Sequence, residues 1–377
     1  MVSASDPLAL LPPGDGTLGH VVIGDVTLVT GVVIPAVTLA VQRWGRINSE
    51  KSNVVLVEHA LTGDSHVVGP VDSLHPTPGW WNGLVGPGLP LDTDRYCVVS
   101  VNVLGGCRGS TGPSSLHPDG HYWGARFPAV SVRDMVTSER MLADLLGIDR
   151  WAAVIGGSMG AMQSLEWAIT HPDRVERLAV LAGPAVSTAD QIALSSIQVE
   201  AIRADPAFAA GDYYDAADGE GPHRGLALAR RIALLSYRAK DELNHRFARS
   251  WQSARSPLGE GGRYAVESYL DFHGNKFTRR FDANAYITLV AAMSSHDVGR
   301  DRGGVDAALA TVRVPTLVLA IDTDRLFPVD DQERIAAGVP GNLDGDEPHR
   351  VASEFGHDAF LIESTIVGAQ LQRLLAA

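Results

Sequence analysis

Ser158 is the strongest candidate for a catalytic nucleophile in the sequence. It is the central residue of Gly156-Gly-Ser-Met-Gly160, a G-x-S-x-G pattern between a predicted strand at 151–155 and a predicted helix at 159–170. A nucleophile elbow needs small residues at such a turn because the two backbones nearly touch. The pattern therefore predicts covalent acyl chemistry on the Ser158 hydroxyl. A glycine-rich turn with a passive serine is the alternative.

A nucleophilic serine needs a base and a carboxylate that orients the base. In proteins with this elbow the acid follows a late strand and the histidine comes last. His357 follows the last predicted strand, so we expect it to be the base; His296 and His349 compete weakly. Asp324 follows the preceding predicted strand and is the expected acid, with Asp322 as a competitor by position.

Two backbone N–H groups are expected to hold the oxyanion that forms during acyl transfer. One belongs to Met159, the residue after the nucleophile, and the other to Leu61 in the loop after an earlier strand. His59 and His66 lie near this loop, but the absence of an H-E-x-x-H pattern or a tight His/Asp cluster argues against a metal site. The glycine-rich 105–112 tract lacks the lysine of a phosphate loop, so we expect a turn that lines the pocket.

Short strands alternate with helices around these residues, which predicts an α/β fold. The segment 21–44, near the start of the chain, is rich in Val and Thr and indicates antiparallel strands with breaks at Gly31 and Pro35. Continuous apolar runs indicate strands covered on both faces, and short joins through helices imply parallel pairing. The predicted later strands are 53–58, 96–101, 151–155, 175–181, 314–321 and 349–353, and the predicted helices are 131–146, 159–170, 330–337 and one at the C-terminus.

Residues 186–310 show helical periodicity without a buried strand. We therefore predict a core made of residues 1–185 and 311–377, a mostly parallel sheet with helices on both faces, and an inserted helical lid at 186–310. Within the lid, residues 224–280 contain 12 basic and 5 acidic side chains. This local excess suggests an anionic ligand in the cleft between lid and core.

Composition limits the classes of function. The 377 residues are 45% hydrophobic and 20% charged, a balance typical of globular proteins, and their net charge is −13. An acidic surface disfavours nucleic acid and membrane surfaces as partners. No apolar run approaches the roughly 18 residues of a spanning helix, and the N-terminus lacks a basic signal region. We expect a cytoplasmic protein with two reduced thiols, Cys97 and Cys107.

Together, these segments resemble the homoserine O-acetyltransferase family, acyltransferases with the α/β-hydrolase fold. The strings that carry the resemblance are Asn53-Val-Val-Leu-Val, His59-Ala-Leu-Thr-Gly-Asp-Ser-His66, Asn102-Val-Leu-Gly-Gly-Cys-Arg-Gly-Ser-Thr-Gly-Pro113, Gly156-Gly-Ser-Met-Gly160, Ala229-Arg230 before Tyr237, Asp324-Arg-Leu-Phe-Pro328 and Gly356-His-Asp-Ala-Phe-Leu361. They span most of the chain. The Asp-x-Leu-Phe-Pro string favours Asp324 over Asp322 as the acid.

The resemblance implies a ping-pong transfer of the acetyl group from acetyl-CoA to the hydroxyl of L-homoserine through a Ser158 acyl-enzyme, a step of methionine biosynthesis. It implies that Arg230 and Asp358 bind substrate, and their charges suggest the α-carboxylate and the α-ammonium as their respective partners. Acetyl-CoA would be a co-substrate, so we expect no tightly bound cofactor and, from the motifs above, no metal. The helical lid could supply a dimer interface, and we expect a homodimer.

Several alternatives stay open at this stage. The donor could be succinyl-CoA, and the acceptor could be serine. An esterase or thioesterase would share the fold and the triad, and a non-catalytic receptor would share the fold. Two features depart from the family pattern: Glu58 stands where a small or apolar residue is expected, and the 255–262 tract is hard to match.

Overall fold

An eight-stranded sheet forms the centre of the fold. The computed structural model describes residues 7–217 and 219–377. The strands are β1 (Gly19–Thr27), β2 (Val33–Trp44), β3 (Val54–Glu58), β4 (Val85–Gly86), β5 (Leu91–Asp92), β6 (Cys97–Asn102), β7 (Ala153–Gly157), β8 (Leu178–Leu181), β9 (Thr316–Ile321) and β10 (His349–Val351). Their order in the main sheet is β1-β2-β6-β3-β7-β8-β9-β10, and β4 pairs only with β5. The β1–β2 and β2–β6 pairs are antiparallel, whereas every pair from β6 to β10 is parallel, which confirms the mostly parallel sheet.

The early antiparallel strands are present, but one predicted break is wrong. Gly31 lies between β1 and β2 as expected, whereas Pro35 lies inside β2. The register of β1 with β2 is irregular here, and Ala36 adopts a φ of 48° while its N–H donates to Asp25 Oδ1 at 2.8 Å. Because a β-bulge tolerates a residue that has no N–H, the strand continues through the proline.

Helices cover both faces of the sheet. They are α1 (Val132–Leu146), α2 (Met159–Thr170), α9 (Val329–Gly338), α10 (Ala359–Ile362) and α11 (Ser364–Leu375). The buried side chains of α1, α2 and α9 share a core with one face of the sheet, and those of α10 and α11 share a core with the other. A capping box starts α1: Ser131 N–H donates to Asp134 Oδ2 at 2.8 Å, and the Asp134 N–H donates to Ser131 Oγ at 3.3 Å.

Residues 186–310 are helical, as the sequence predicts. They form α3 (Ala189–Arg203), α4 (His223–Tyr237), α5 (Lys240–Phe247), α6 (Ala265–Phe277), α7 (Ala283–Ser294) and α8 (Val305–Leu309). The described part of this segment contains no strand. Helix α4 packs against α3 and α6 and also reaches the 3₁₀ turn Gly356–Asp358. The division of the chain into a core and a lid stays a prediction.

Alternate residues of the central strands enter opposite cores. On β3, Val54 and Leu56 pack with α1 and α2, whereas Val55 and Val57 pack toward α11. This burial on both faces explains why the strands consist of continuous apolar runs. None of the helices in the described ranges is long and apolar enough to cross a membrane.

Candidate active site

The predicted site residues follow the carboxyl ends of parallel strands. Leu61 comes after β3, Ser158 after β7, Asp324 after β9 and His357 after β10. Because the carboxyl ends of parallel strands lie at one edge of a sheet, four separate loops meet there. The sheet therefore gathers residues that are up to about 300 positions apart in the chain.

A cavity of about 200 Å³ lies at this edge. It brings together Ser158, His357, Leu61, Arg230 and Asp358, five of the seven residues that the sequence assigned to the site. The remaining lining residues are Ala60, Thr62, Gly63, Trp80, Tyr237, Arg280, Phe360 and Leu361. The other two assigned residues are neighbours of this set: Asp324 contacts His357, and Met159 follows Ser158.

Ser158 occupies a sharp turn that only small neighbours permit. Its φ of 60° and ψ of −121° lie outside the regions that L-residues favour, which is a source of local strain. A Cβ on Gly156 would lie 2.1 Å from Gly160 O, and a Cβ on Gly160 would lie 2.4 Å from Glu58 O. The glycines thus let β7 turn into α2 against β3, and this holds the serine at the helix start, as the elbow pattern predicts.

His357 is hydrogen-bonded to Asp324. Its Nδ1 lies 2.6 Å from Asp324 Oδ2, and both side chains are buried. The other carboxylate oxygen, Oδ1, accepts the backbone N–H groups of Leu326 at 2.8 Å and Phe327 at 3.0 Å. Asp324 is therefore held by its own loop, and it fixes the imidazole with Nδ1 protonated and Nε2 free to act as a base.

The surroundings of His357 favour its protonated form. Burial alone lowers its pKa, but the Asp324 carboxylate, through its charge and hydrogen bond, and the charge of Asp358 raise the pKa above the ordinary value of 6.5. Aromatic rings enclose the imidazole: the ring centres of Tyr237 and Phe360 lie 5.7 Å and 5.5 Å away. A buried imidazole stabilised as imidazolium suits a group that takes up a proton during reaction.

The expected oxyanion donors come from two separate segments of the chain, the start of α2 and the loop after β3. Met159 is the first residue of α2, so its N–H has no acceptor within the helix. Leu61 lines the cavity in a turn closed by the hydrogen bond from Gly63 N–H to Ala60 O at 2.8 Å. His59 supports this loop, because its Nε2 accepts the Val103 N–H at 3.1 Å and its Nδ1 lies 2.8 Å from Ala60 O. This histidine is therefore committed to backbone groups.

Arg230 and Asp358 place opposite charges in one cavity. Arg230 lies over the rings of Tyr237 and Phe277, with its guanidinium carbon 5.3 Å and 5.2 Å from their centres. Its Nη1 is buried without a hydrogen-bond partner among the described residues. Asp358 Oδ2 lies 3.4 Å from the Nε of Arg238. The cavity thus offers an unsatisfied cationic donor and a partly paired carboxylate.

Comparison with known proteins identifies the family to which the chain that carries this site belongs. The α/β-hydrolase fold family model matches residues 53–364. A homoserine O-acetyltransferase of Clavibacter michiganensis is 64% identical over 353 residues, which cover 94% of this chain and 91% of that protein. The chain belongs to the homoserine O-acetyltransferase family. The Nocardia farcinica homoserine O-acetyltransferase agrees, with 54% identity over 96% of this chain and 93% of its own.

Solved structures share the fold of this homoserine O-acetyltransferase family member. The Bacillus anthracis homoserine O-acetyltransferase superposes with a TM-score of 0.87 at 24% identity, covering 96% of this chain and 98% of its own. Esterase E22 superposes with a TM-score of 0.85 at 27% identity, covering 95% and 99%. Proteins named as transferases and proteins named as hydrolases therefore share this fold.

The residues that competed with Asp324 and His357 in the sequence do not line the cavity around Ser158. Asp322 is exposed on the same loop as Asp324. His296 is buried after α7, where burial lowers its pKa to about 4, and His349 opens β10. The 105–112 tract does not line the cavity around Ser158, contrary to expectation; hydrogen bonds hold it against Asn102 and β2, and its Cys107 and Arg108 line a neighbouring cavity.

Sequence reasoning assigned no role to four lining or adjoining residues. Tyr237 lies seven positions after Arg230 on α4, a spacing that places both on one helix face and could have indicated it. Trp80 and Arg280 come from loops with no periodic signal. Arg238 gave no signal in the sequence because the residue with which it pairs, Asp358, lies in a distant segment.

Proposed function

We propose that this protein transfers the acetyl group of acetyl-CoA to the side-chain hydroxyl of L-homoserine. The observation that carries the proposal is the 64% identity to a homoserine O-acetyltransferase over 94% of the chain. The cavity supports it, because it combines a serine at an elbow, a His–Asp pair and two opposite charges suited to an amino-acid zwitterion. No tightly bound cofactor enters the proposed reaction.

In the first half-reaction, Ser158 Oγ attacks the thioester carbonyl while His357 Nε2 takes the hydroxyl proton. The N–H groups of Leu61 and Met159 donate to the oxyanion, where preformed donors stabilise the developing charge without reorganisation. The C–S bond then breaks, the imidazolium returns the proton to sulfur, and CoA leaves. Asp324 stays ionised and stabilises the imidazolium throughout. The product of this step is an acetyl ester on Ser158.

In the second half-reaction, the homoserine hydroxyl gives its proton to His357 and attacks the acetyl ester. The tetrahedral intermediate collapses, Ser158 Oγ recovers the proton, and O-acetyl-L-homoserine leaves. His357 thus takes up a proton from the attacking hydroxyl and returns it to the leaving group in both half-reactions. CoA must leave before the acceptor is used, so we expect ping-pong kinetics.

Arg230 and Asp358 are the proposed acceptor-binding pair. The buried, unpartnered Nη1 of Arg230 suits the α-carboxylate, and Asp358 suits the α-ammonium. Arg238 lies 3.4 Å from Asp358 and partly neutralises the charge that Asp358 presents to a cation. Serine is one methylene shorter than homoserine, so it would bring its hydroxyl less far toward Ser158 from the same anchoring points.

Hydrolysis is the second candidate function, since esterase E22 and an acetylester hydrolase from Corynebacterium glutamicum share the fold at 27% identity. The deciding experiment measures CoA release from acetyl-CoA with and without homoserine. The proposal predicts a burst of CoA equal to the enzyme, then continued release only when homoserine is present. Sustained release without homoserine would identify a thioesterase. Repeating the assay with succinyl-CoA and with serine tests the remaining donor and acceptor alternatives.

We also propose a cytoplasmic homodimer. Acetyl-CoA is an intracellular donor, which suits that location. Association of two chains would cover apolar side chains on the exposed faces of α3 and α4, where Ile197, Leu228 and Leu235 are 57%, 43% and 45% exposed. Sedimentation velocity should give the mass of two chains, and Leu228→Asp with Leu235→Asp should shift it to one. A wild-type monomer at assay concentration would contradict the proposal.

A further inference from the structure

A second cavity adjoins the catalytic cavity and is lined by basic side chains. Its volume is about 380 Å³, and it shares Arg280 with the smaller cavity that contains Ser158. Its walls come from the loop after β6, the loop before α4 and the turn between α6 and α7. Its cationic or protonatable lining residues are Arg108, His223, Arg279 and Arg280.

Little negative charge in the described lining offsets these cations. Asp282 is the sole acidic residue among the described lining residues. Its carboxylate already accepts hydrogen bonds from the hydroxyls of Tyr213 and Tyr214, at 2.6 Å and 3.0 Å, and from the Ala285 N–H at 2.8 Å. The bond from the Ala285 N–H caps the start of α7, and all three bonds together commit this carboxylate to a structural role.

The arginines lack enough anionic partners. Arg280 Nη1 donates to Thr62 O at 2.9 Å, and its pKa is lowered to about 10 by burial and by the neighbouring charges of Arg230 and Arg108. The Nε of Arg108 lies 3.7 Å from Asp64 Oδ2, its nearest carboxylate. Arg279 is exposed and forms no ion pair with any described residue. Such a cluster of incompletely neutralised guanidinium groups attracts anions.

We propose that this second cavity binds the phosphate-bearing nucleotide end of acetyl-CoA, with the pantetheine arm passing Arg280 to reach Ser158. This inference rests on the function proposed above. Guanidinium groups donate paired hydrogen bonds to phosphate oxygens, which makes arginine well suited to such a site. Because the two cavities are adjacent, one extended donor can occupy both, with its charged end near Arg279 and its thioester at the nucleophile.

S-Acetylpantetheine separates the two cavities experimentally, because it carries the same acetyl thioester but no phosphate and no adenosine. The quantity to measure is the ratio of kcat/KM for acetyl-CoA to kcat/KM for S-acetylpantetheine, with homoserine saturating. We expect Arg279→Glu to lower this ratio about tenfold and Arg279→Lys to keep it within about threefold. Added salt should reduce the wild-type ratio, since it screens exposed charges.

Arg313→Glu is the matched control, because Arg313 is an exposed arginine outside both cavities. It makes the same charge change and should leave the ratio unaltered. Adenosine 3′,5′-bisphosphate gives a readout that does not depend on donor turnover. It should inhibit competitively against acetyl-CoA, and Arg279→Glu should raise its inhibition constant.

The outcomes separate this inference from the proposed function. If the wild-type protein uses both donors and Arg279→Glu, at wild-type Tm, leaves the ratio unchanged, the phosphate site is wrong and the acetyltransferase function stands. An equal fall of the ratio in Arg313→Glu would also overturn the site, because the effect would then reflect net charge. If the wild-type protein acetylates homoserine with neither donor, the function and the site both fail.

Discussion

Two glutamates are buried against each other behind the nucleophile elbow, and replacing one should change how stability depends on pH. Glu58 ends β3 and Glu139 lies on α1, each about 1% exposed. Trp167 Nε1 of α2 donates to Glu139 Oε2 at 2.9 Å. Burial and then the charge of Glu139 raise the pKa of Glu58 well above its ordinary value. Burial raises the pKa of Glu139 to about 7, although its hydrogen bonds favour ionisation.

The sign of the effect follows from these pKa values. Between pH 4.5, the ordinary value for Glu139, and about pH 7, the folded protein binds a proton that the unfolded chain has released. The free energy of unfolding therefore falls as pH rises through this window. The interval from pH 4.5 to about pH 7 corresponds to about 3 kcal/mol of unfolding free energy, since one pH unit is about 1.4 kcal/mol for a single proton. The contribution of Glu139 to this loss is complete above about pH 7 and absent below pH 4.5.

Glu139→Gln should remove this dependence. The glutamine keeps an oxygen for the Trp167 N–H and adds an amide donor for Glu58, but it cannot ionise. Relative to wild type, the variant should gain about 3 kcal/mol between pH 4.5 and pH 8, or about 4 °C in Tm for 377 residues. Differential scanning fluorimetry across this range measures the gain. Glu200→Gln, an exposed change on α3, is the control and should show no such trend. A Tm difference for Glu139→Gln that does not grow with pH would show that Glu139 is not protonated in the folded protein at neutral pH.

Three further predictions concern the catalytic site. Asp324→Asn should lower kcat by about three to four orders of magnitude, because the imidazole loses its orientation. In the wild-type protein, kcat/KM should fall as pH drops through a His357 pKa above 6.5. A midpoint of this fall at or below pH 6.5 would contradict the raised pKa. Asp358→Asn should raise the KM for homoserine about tenfold without slowing CoA release in the first turnover, and an unchanged KM and kcat/KM would remove Asp358 from the acceptor site. Gly160→Ala should cost about 3 kcal/mol or more, because its Cβ would lie 2.4 Å from a carbonyl oxygen of β3, whereas Gly221→Ala, with no atom nearer than 3.6 Å, should leave Tm nearly unchanged. A wild-type Tm for Gly160→Ala would show that the elbow has room to relax.

The residues that the sequence located well are those set by local rules. The G-x-S-x-G turn and the bounds of α1 and α2 depend on near neighbours in the chain, and the structure matches each of them to within one residue. The parallel sheet followed from continuous apolar strands separated by helices. Asp324 required more than local rules, since position alone left Asp322 open and only the family string favoured it.

The features that sequence reasoning missed depend on contacts between distant segments. Arg238 is paired with a residue 120 positions later, and Arg280 reaches the Leu61 loop through Thr62 O. No periodicity or spacing reports such a contact. Glu58 stood out as a departure from the family pattern, but only the packing of β3 on α1 and α2 showed that Glu139 is its partner. Pro35 was misleading because a bulge, which depends on the partner strand, accommodates it.

Covalent acetylation of Ser158 is the step on which the proposed mechanism depends, and mass spectrometry of the intact protein measures it. The protein is mixed with acetyl-CoA alone, quenched in acid and digested to locate the modification, with Ser158→Ala as the control. We expect one acetyl group per chain on the Ser158 peptide, its loss on adding homoserine, and an equal amount of O-acetylhomoserine. Formation of O-acetylhomoserine by Ser158→Ala at the wild-type rate, or an acetyl group on another residue that homoserine removes, would contradict the proposed mechanism.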